Sequence, residues 1–185
     1  MNYYILQQDP RIIEQPSLLG GPKNIDPFDL IRGKTVPVPN TPIPLSLSPS
    51  SGSYRGCIID GIVTLFHKYF IEGLTRLGVD NFQSFPVELT NPEGGIEFAY
   101  SLINVIGLLE AVDEKESVIE PRATGGRGQL YSFKIDPTKT MGQRLFRLAE
   151  APTLIIIDES LWKELLVFDP PGVMMLPTER YDGWD

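Results

Sequence analysis

The sequence predicts an α+β fold, because strand patterns outnumber helical patterns and the two do not alternate strictly. Five to seven short stretches have the β-branched and aromatic content of strands, whereas only two stretches have clear helical character. The length of 185 residues corresponds to one domain. We therefore predict a single domain over residues 1–185, with a mixed or mainly antiparallel sheet, two or more helices and a proline-rich N-terminal arm.

The first third of the chain combines one strand pattern with a long stretch of turn-forming residues. NYYILQ, residues 2–7, has the composition of a strand, and residues 8–56 are rich in proline, with eight prolines between Pro16 and Pro49. Proline lacks an amide hydrogen, which makes this stretch unsuited to the interior of a sheet. The interleaved aliphatic residues favour an extended arm packed on the core, with residues 43–47 as an edge strand, over a flexible linker.

The clearest helical pattern is DGIVTLFHKYFIEGLTRL, residues 60–77. Its apolar residues recur at spacings of three and four, which places them on one face of a helix. Asp60 is the predicted N-cap and Gly78 the predicted C-terminal stop.

The remaining elements are mostly strands. A turn is predicted at NPEGG, residues 91–95, and a short helix at residues 161–167. The predicted strands are residues 82–89, 96–106, 129–135, 145–148, 153–157 and 173–176.

TLIIIDE, residues 153–159, resembles the strand of a nucleotide hydrolase that ends in a magnesium-binding aspartate and a catalytic glutamate. Such a site needs a phosphate-binding loop with glycines, a lysine and a Ser or Thr at fixed spacing, and no stretch of the chain has that spacing. The alternative is local: Asp158 caps the following helix, and Glu159 lies at its positive end. We favour the helix start, and a small carboxylate- or metal-dependent enzyme that uses Asp158 and Glu159 stays as the alternative.

Other catalytic arrangements have little support in the sequence. The only histidine, His67, lies in the predicted helix, and the only cysteine, Cys57, opens the apolar run CII that is typical of a buried thiol. Arg122 and Arg127 flank the glycine loop ATGGRGQ and are candidates to hold an anion, although a surface loop is the simpler interpretation. We predict that the protein is not an enzyme, and that it needs no cofactor and no metal.

Charge limits the classes of partner. The net charge of −8 disfavours nucleic acid and anionic membranes, and it is compatible with a basic protein partner or with simple solubility. The N-terminus lacks the basic start and apolar run of a secretory signal, and no apolar stretch approaches the ~20 residues of a membrane span. We expect a cytoplasmic protein.

The segment EAVDEKESVIE, residues 110–120, concentrates this charge. Its net charge of −4 is half that of the chain. It is either a patch that receives basic residues of a partner or a solvated loop. The candidate interface residues are Glu110, Asp113, Glu114, Glu116 and Glu120.

Several stretches occur in an order that resembles one family of bacterial immunity proteins, typified by a Myxococcus protein, found beside polymorphic-toxin genes and formerly catalogued as a domain of unknown function. The matching stretches cover nearly the whole chain, and Asp113 and Ser117 keep the D-x-x-x-S spacing of the family. In chain order they are NYYIL at residue 2, IPLSL at residue 43, LGVDNFQSFPVEL at residue 77, INVIGLLEAVDEKES at residue 103, LFRLAE at residue 145 and PGVMMLP at residue 171.

The resemblance implies a non-enzymatic role, which is to bind and neutralise a cognate toxin domain. A nuclease toxin must be basic to hold nucleic acid, and an acidic inhibitor can imitate that phosphate surface. We therefore expect a basic, nuclease-type toxin as the partner. The acidic segment and the proline-rich arm are the candidate interfaces, and a homodimer is a further hypothesis.

Overall fold

The computed structural model describes residues 1–121 and 128–183. It confirms the predicted α+β class with mixed sheets in one compact domain. The α-helices are α1 (Pro27–Leu30), α2 (Lys68–Arg76) and α3 (Glu159–Leu165). The strands are β1 (Tyr3–Gln8), β2 (Ile43–Ser46), β3 (Ile58–Ile59), β4 (Leu65–His67), β5 (Phe82–Thr90), β6 (Ile96–Glu97), β7 (Tyr100–Val105), β8 (Leu108–Leu109), β9 (Ile119–Glu120), β10 (Gln129–Leu130), β11 (Leu145–Leu148), β12 (Ala151–Asp158) and β13 (Val173–Pro177). Short 3₁₀ turns lie at Pro137–Lys139, Leu166–Phe168 and Thr178–Arg180.

Two larger sheets and one short ribbon contain the strands. The first sheet has the order β13-β1-β12-β11-β8, and the second has the order β2-β5-β7-β4-β3, with β6 also paired to β5. The β11–β8 and β2–β5 pairs are parallel and the other pairs are antiparallel. β9 and β10 form a separate antiparallel pair.

Strand β12 explains the apolar run TLIII, because both of its faces are buried. Ile155 and Ile157 pack with α2, α3 and the second sheet, whereas Leu154 and Ile156 pack with residues 109–135 on the opposite face. A strand covered on both sides has no polar face, so it shows no alternation in sequence. The first sheet is thus the middle layer of the molecule.

The proline-rich arm covers the outer face of the second sheet. Leu30, Ile43, Leu45 and Leu47 are buried against that sheet. β2 is its edge strand, as predicted, and Pro44 is accommodated there with an exposed side chain. The arm is not extended throughout, since Asp26 caps the four-residue helix α1.

The predicted helix over residues 60–77 is wrong in its first half. The helix begins at Lys68, and His67, rather than Asp60, is its N-cap. Leu65 and Phe66 instead form β4, where both are fully buried between β3 and β7. Burial on both faces outweighs helical spacing here, and Ile62, which the helix would have buried, is 62% exposed. The predicted stop is confirmed, since Gly78 follows the helix with a φ of +78°.

Two predicted strands are interrupted. Residues 96–106 divide into β6 and β7, whose registers against β5 differ by one residue, as expected for a bulge. The alternation over residues 129–135 yields only the two residues of β10. Beyond it, the amides of Ser132 and Phe133 donate to the carbonyls of Tyr181 and Thr178, so the chain also bonds to the C-terminal segment and forms no regular strand.

Candidate functional site

The acidic segment, residues 110–120, is one arm of an irregular hairpin and not a free loop. The amide of Asp113 donates to the Lys134 carbonyl at 2.9 Å, and Val118 exchanges backbone hydrogen bonds with Ser132 and Tyr131. Ala111 and Val112 are fully buried against the first sheet. The segment therefore holds its acidic side chains on an anchored backbone.

Asp113 stabilises a turn at residues 114–117 within the acidic segment, and Ser117 bonds to the facing arm of the hairpin. Asp113 Oδ1 accepts the amide of Lys115 at 3.0 Å, and Ser117 Oγ accepts the amide of Lys134 at 3.0 Å. A short polar side chain that accepts an amide two residues later, as Asp113 does, fixes a turn. The D-x-x-x-S spacing thus has a local structural role, whatever else it does.

An acid-lined cleft lies beside the hairpin. Its volume is about 360 Å³, at the lower end of the range typical of ligand sites. Three carboxylates and one ammonium group line it, above a partly apolar wall. The lining residues are Glu110, Glu114, Glu150, Lys139, Ile119, Leu130 and Gly128.

Glu150 and Lys139 are fixed to the same backbone residue. Glu150 Oε1 accepts the amide of Val112 at 3.2 Å, and Lys139 Nζ donates to the Val112 carbonyl at 2.9 Å. The second oxygen of Glu150 is buried and accepts no hydrogen bond from the described part of the chain. Among the residues that the structure describes, three carboxylates and one ammonium group line the cleft.

Two of the five predicted interface residues line this cleft, and three do not. Glu110 and Glu114 face it, whereas Asp113 holds the turn and the Glu116 carboxylate pairs with Lys134. That pair raises the pKa of Lys134. Glu120 lies exposed in β9 opposite Gln129. The predicted anion-binding residues Arg122 and Arg127 lie outside the described residues.

The sequence did not identify Glu150 or Lys139. Glu150 is the last residue of LFRLAE, about forty residues after Glu110, and Lys139 follows a short 3₁₀ turn. An acid after a buried strand is a common way to end the strand, so no local signal joins these residues. The parallel β8–β11 pair, in which Leu109 lies opposite Leu148, and the Val112–Ile135 bridge bring them to one cleft.

Asp158 is the N-cap of α3, as predicted. It is 3% exposed, and its Oδ1 accepts the amide of Leu161 and the hydroxyl of Ser160, both at 2.7 Å. Arg144 Nε lies 3.9 Å from the same oxygen. The Asp158 carboxylate is thus engaged by groups of the protein itself. The enzyme hypothesis loses the residue on which it most depended.

Glu159 is also engaged with its own helix. Its carboxylate accepts a hydrogen bond from Lys163, one turn later, at 2.8 Å. This contact holds the pKa of the partly exposed Glu159 carboxyl below its usual value. The pair is an ordinary surface i,i+4 ion pair.

Cys57 and His67 are neighbours across the β3–β4 hairpin, where the His67 amide donates to the Cys57 carbonyl at 2.8 Å. Burial raises the pKa of the Cys57 thiol to about 11, which keeps it protonated and unreactive at neutral pH. His67 Nδ1 accepts the amide of Tyr69 at 3.2 Å, and its ring packs edge-on against Tyr100. Both residues thus have structural contacts, the core for Cys57 and the helix cap and Tyr100 for His67.

Within residues 1–121 and 128–183, no three His, Cys, Asp or Glu side chains are grouped closely enough to hold a metal ion. The same residues contain no helix that is both long enough and apolar enough to cross a bilayer. In comparisons with known proteins, neither a family model nor a curated protein matches the chain.

Proposed function

We propose that this chain is an immunity protein that binds and neutralises a cognate bacterial toxin domain in the cytoplasm. The observation that carries the proposal is the acid-lined cleft beside an anchored acidic hairpin. The order of motifs in the sequence supports the same role. The partner we propose is a basic, nuclease-type toxin domain, and the interaction is stoichiometric binding without catalysis by this chain.

The cleft suits a lysine or arginine side chain of such a partner. Charge-assisted hydrogen bonds between carboxylates and guanidinium or ammonium groups are about twice as strong as neutral ones. Glu110 and Glu114 are exposed at the cleft, and the apolar Ile119 and Leu130 offer surface for the aliphatic part of the incoming side chain. The negative charge of the whole chain favours fast encounter with a basic partner.

The test is co-expression with the toxin domain encoded by the adjacent gene. We expect the wild-type chain to restore growth and to co-purify with the toxin in a complex. The paired substitutions Glu110→Lys and Glu114→Lys reverse the charge at the mouth of the cleft and should abolish protection. Both side chains are exposed, so unchanged thermal unfolding would show that the fold is kept.

Glu93→Lys is the matched control, because Glu93 is an exposed acid in the turn after β5 and does not line the cleft. This variant should protect as the wild type does. If the wild-type chain gives no complex and no protection, the proposed function is wrong. If the Glu110→Lys, Glu114→Lys variant protects as well as the wild type, the toxin binds elsewhere and the proposed role of the cleft is wrong.

A further inference from the structure

Arg147 is a buried cation between the two larger sheets. It is 3% exposed and lies on β11 between Phe146 and Leu148. Those two neighbours pack on the face toward the acidic hairpin, so the alternation of a strand directs Arg147 to the opposite face, which Leu145 shares. That face meets the second sheet. Burying an arginine there costs free energy unless its charge is compensated and its N–H groups are hydrogen-bonded.

The protein satisfies only one of the three guanidinium nitrogens. Nη1 donates to the carbonyls of Pro152 and Thr153, both at 2.9 Å. Nε is buried and has no hydrogen-bond partner in residues 1–121 and 128–183, and over the same residues Nη2 makes no hydrogen bond. Nε–H and one Nη2–H point from the same edge of the planar group, which is an edge that binds anions with two parallel hydrogen bonds.

The charge of Arg147 persists despite its burial. Burial lowers the pKa of the guanidinium to about 10, and the negative charge of Asp60 opposes that shift. The group is therefore a cation at neutral pH. Asp60 uses one carboxylate oxygen to accept the amide of Gln8 at 2.6 Å, so its charge is shared with the backbone of β1.

A small cavity adjoins Arg147. Its volume is about 50 Å³, and Thr64, Thr153, Ile103 and Leu30 are among the residues that line it. One water occupies ~30 Å³ in the liquid, so the cavity has room for one or two species of that size. Exposed Thr153 and Ile62 belong to the lining, which gives the cavity a route to solvent.

We propose that this cavity binds one small inorganic anion, of about the size of chloride, on the Nε–Nη2 edge of Arg147. A water molecule could accept hydrogen bonds from this edge but would add no charge to the partial compensation that Asp60 provides. An anion accepts both hydrogen bonds and adds a full negative charge beside the guanidinium, in an interior where the attraction is less screened than in water. Thr64 also lines the cavity, and its side chain carries a hydroxyl donor. This site is separate from the acid-lined cleft and does not depend on the proposed function.

The direct test is a crystal of the full chain soaked in sodium bromide, measured for anomalous scattering. We expect a bromide peak within hydrogen-bonding distance of Arg147 Nε. In solution, the midpoint of thermal unfolding should rise and saturate as sodium chloride replaces sodium gluconate at constant ionic strength, since gluconate is too large for the cavity.

Arg147→Gln removes the charge and should abolish both the bromide peak and the saturable rise. Thr64→Val is the milder variant, and it should raise the chloride concentration needed for half of the effect. If a bromide-soaked crystal of the wild-type chain has no peak beside Arg147, the cavity holds only water and the proposal is wrong. Identical unfolding midpoints of the wild-type chain in chloride and gluconate would overturn the proposal as well. This comparison needs only the wild-type chain, so it holds even if Arg147→Gln does not fold.

Discussion

Single side chains fix the starts of the helices. Asp158 caps α3 with a carboxylate that is almost completely buried, and His67 caps α2 with a neutral ring nitrogen. Each accepts an amide that the first turn of a helix leaves without a partner. Residues that a motif search would assign to catalysis are therefore used to begin helices.

Asp158→Ala should lower the free energy of unfolding by about 1 to 2 kcal/mol, as loss of an N-cap does. Asp158→Asn keeps an oxygen acceptor at the same position and should cost clearly less. Urea unfolding of the three proteins measures both effects. Equal losses for the two variants would mean that the charge beside Arg144, and not the cap, is the important contribution.

His67 should make stability fall in mild acid. Burial is the main reason that its pKa lies below the ordinary 6.5, and the charge of Lys68 adds to the effect. The unfolded chain therefore takes up the proton more readily than the folded chain, so stability is constant above about pH 6.5 and declines as pH falls through the lower folded pKa. His67→Asn keeps a cap acceptor without titrating. The difference in unfolding free energy between wild type and His67→Asn, measured from pH 7.5 to 5, should change in favour of the variant, and a constant difference would contradict the assignment.

Cys57 should resist modification in the folded protein. Its thiol is buried and its raised pKa of about 11 leaves almost no thiolate at pH 8. We expect iodoacetamide to label it far more slowly in the native protein than in guanidinium chloride, as followed by mass spectrometry. Comparable rates in the two states would show that the β3 region is open in solution.

At the level of the element, α2 shows where sequence periodicity fails. Leu65 and Phe66 fit a helical stripe and a buried strand equally well, and only the pairing with β7 decides between them. The end of α2 was predictable because Gly78 supplies a backbone conformation that other residues adopt at a cost.

Two glycines of this region should respond to alanine with opposite signs. Gly78→Ala forces a side chain into a positive φ and should cost about 1 kcal/mol. Gly73 lies within α2, where an added methyl group would meet Phe168 and Leu165 at 3.8 and 3.9 Å, which is ordinary contact. Gly73→Ala should therefore stabilise the protein by about 0.5 to 1 kcal/mol. Thermal and urea unfolding give both values, and a loss of stability at Gly73 would mean that α2 packs more tightly on α3 than the structure has it.

Across the whole molecule, long-range strand pairing determines which residues meet at the cleft, and local sequence patterns could not predict this. The edge strand β2, the helix α3 and most strand positions were predictable from composition and caps. The cleft was not, because Glu150 and Lys139 reach it through the β8–β11 pair and the pairing of residue 112 with residue 135. Two carboxylates of residues 110–120 line the cleft, and the sequence did not indicate which two.

Net charge is also a property of the whole molecule and makes a kinetic prediction. If a basic toxin domain is the partner, the association rate constant should fall steeply as ionic strength rises from about 0.01 to 0.15 M, since the Debye length shortens from about 30 to 8 Å. Stopped-flow fluorescence measures this rate. Glu110→Lys with Glu114→Lys should be slower at low salt and less sensitive to salt, and Glu93→Lys should change the rate much less. A rate that does not depend on salt would contradict electrostatic steering.

The most direct measurement is a calorimetric titration of the purified chain into the purified toxin domain of the adjacent gene, with toxin activity assayed at each ratio. We predict saturable binding at a fixed stoichiometry, with activity lost in proportion to the complex formed. The absence of binding heat at several temperatures, with the toxin fully active in excess of this chain, would contradict the account.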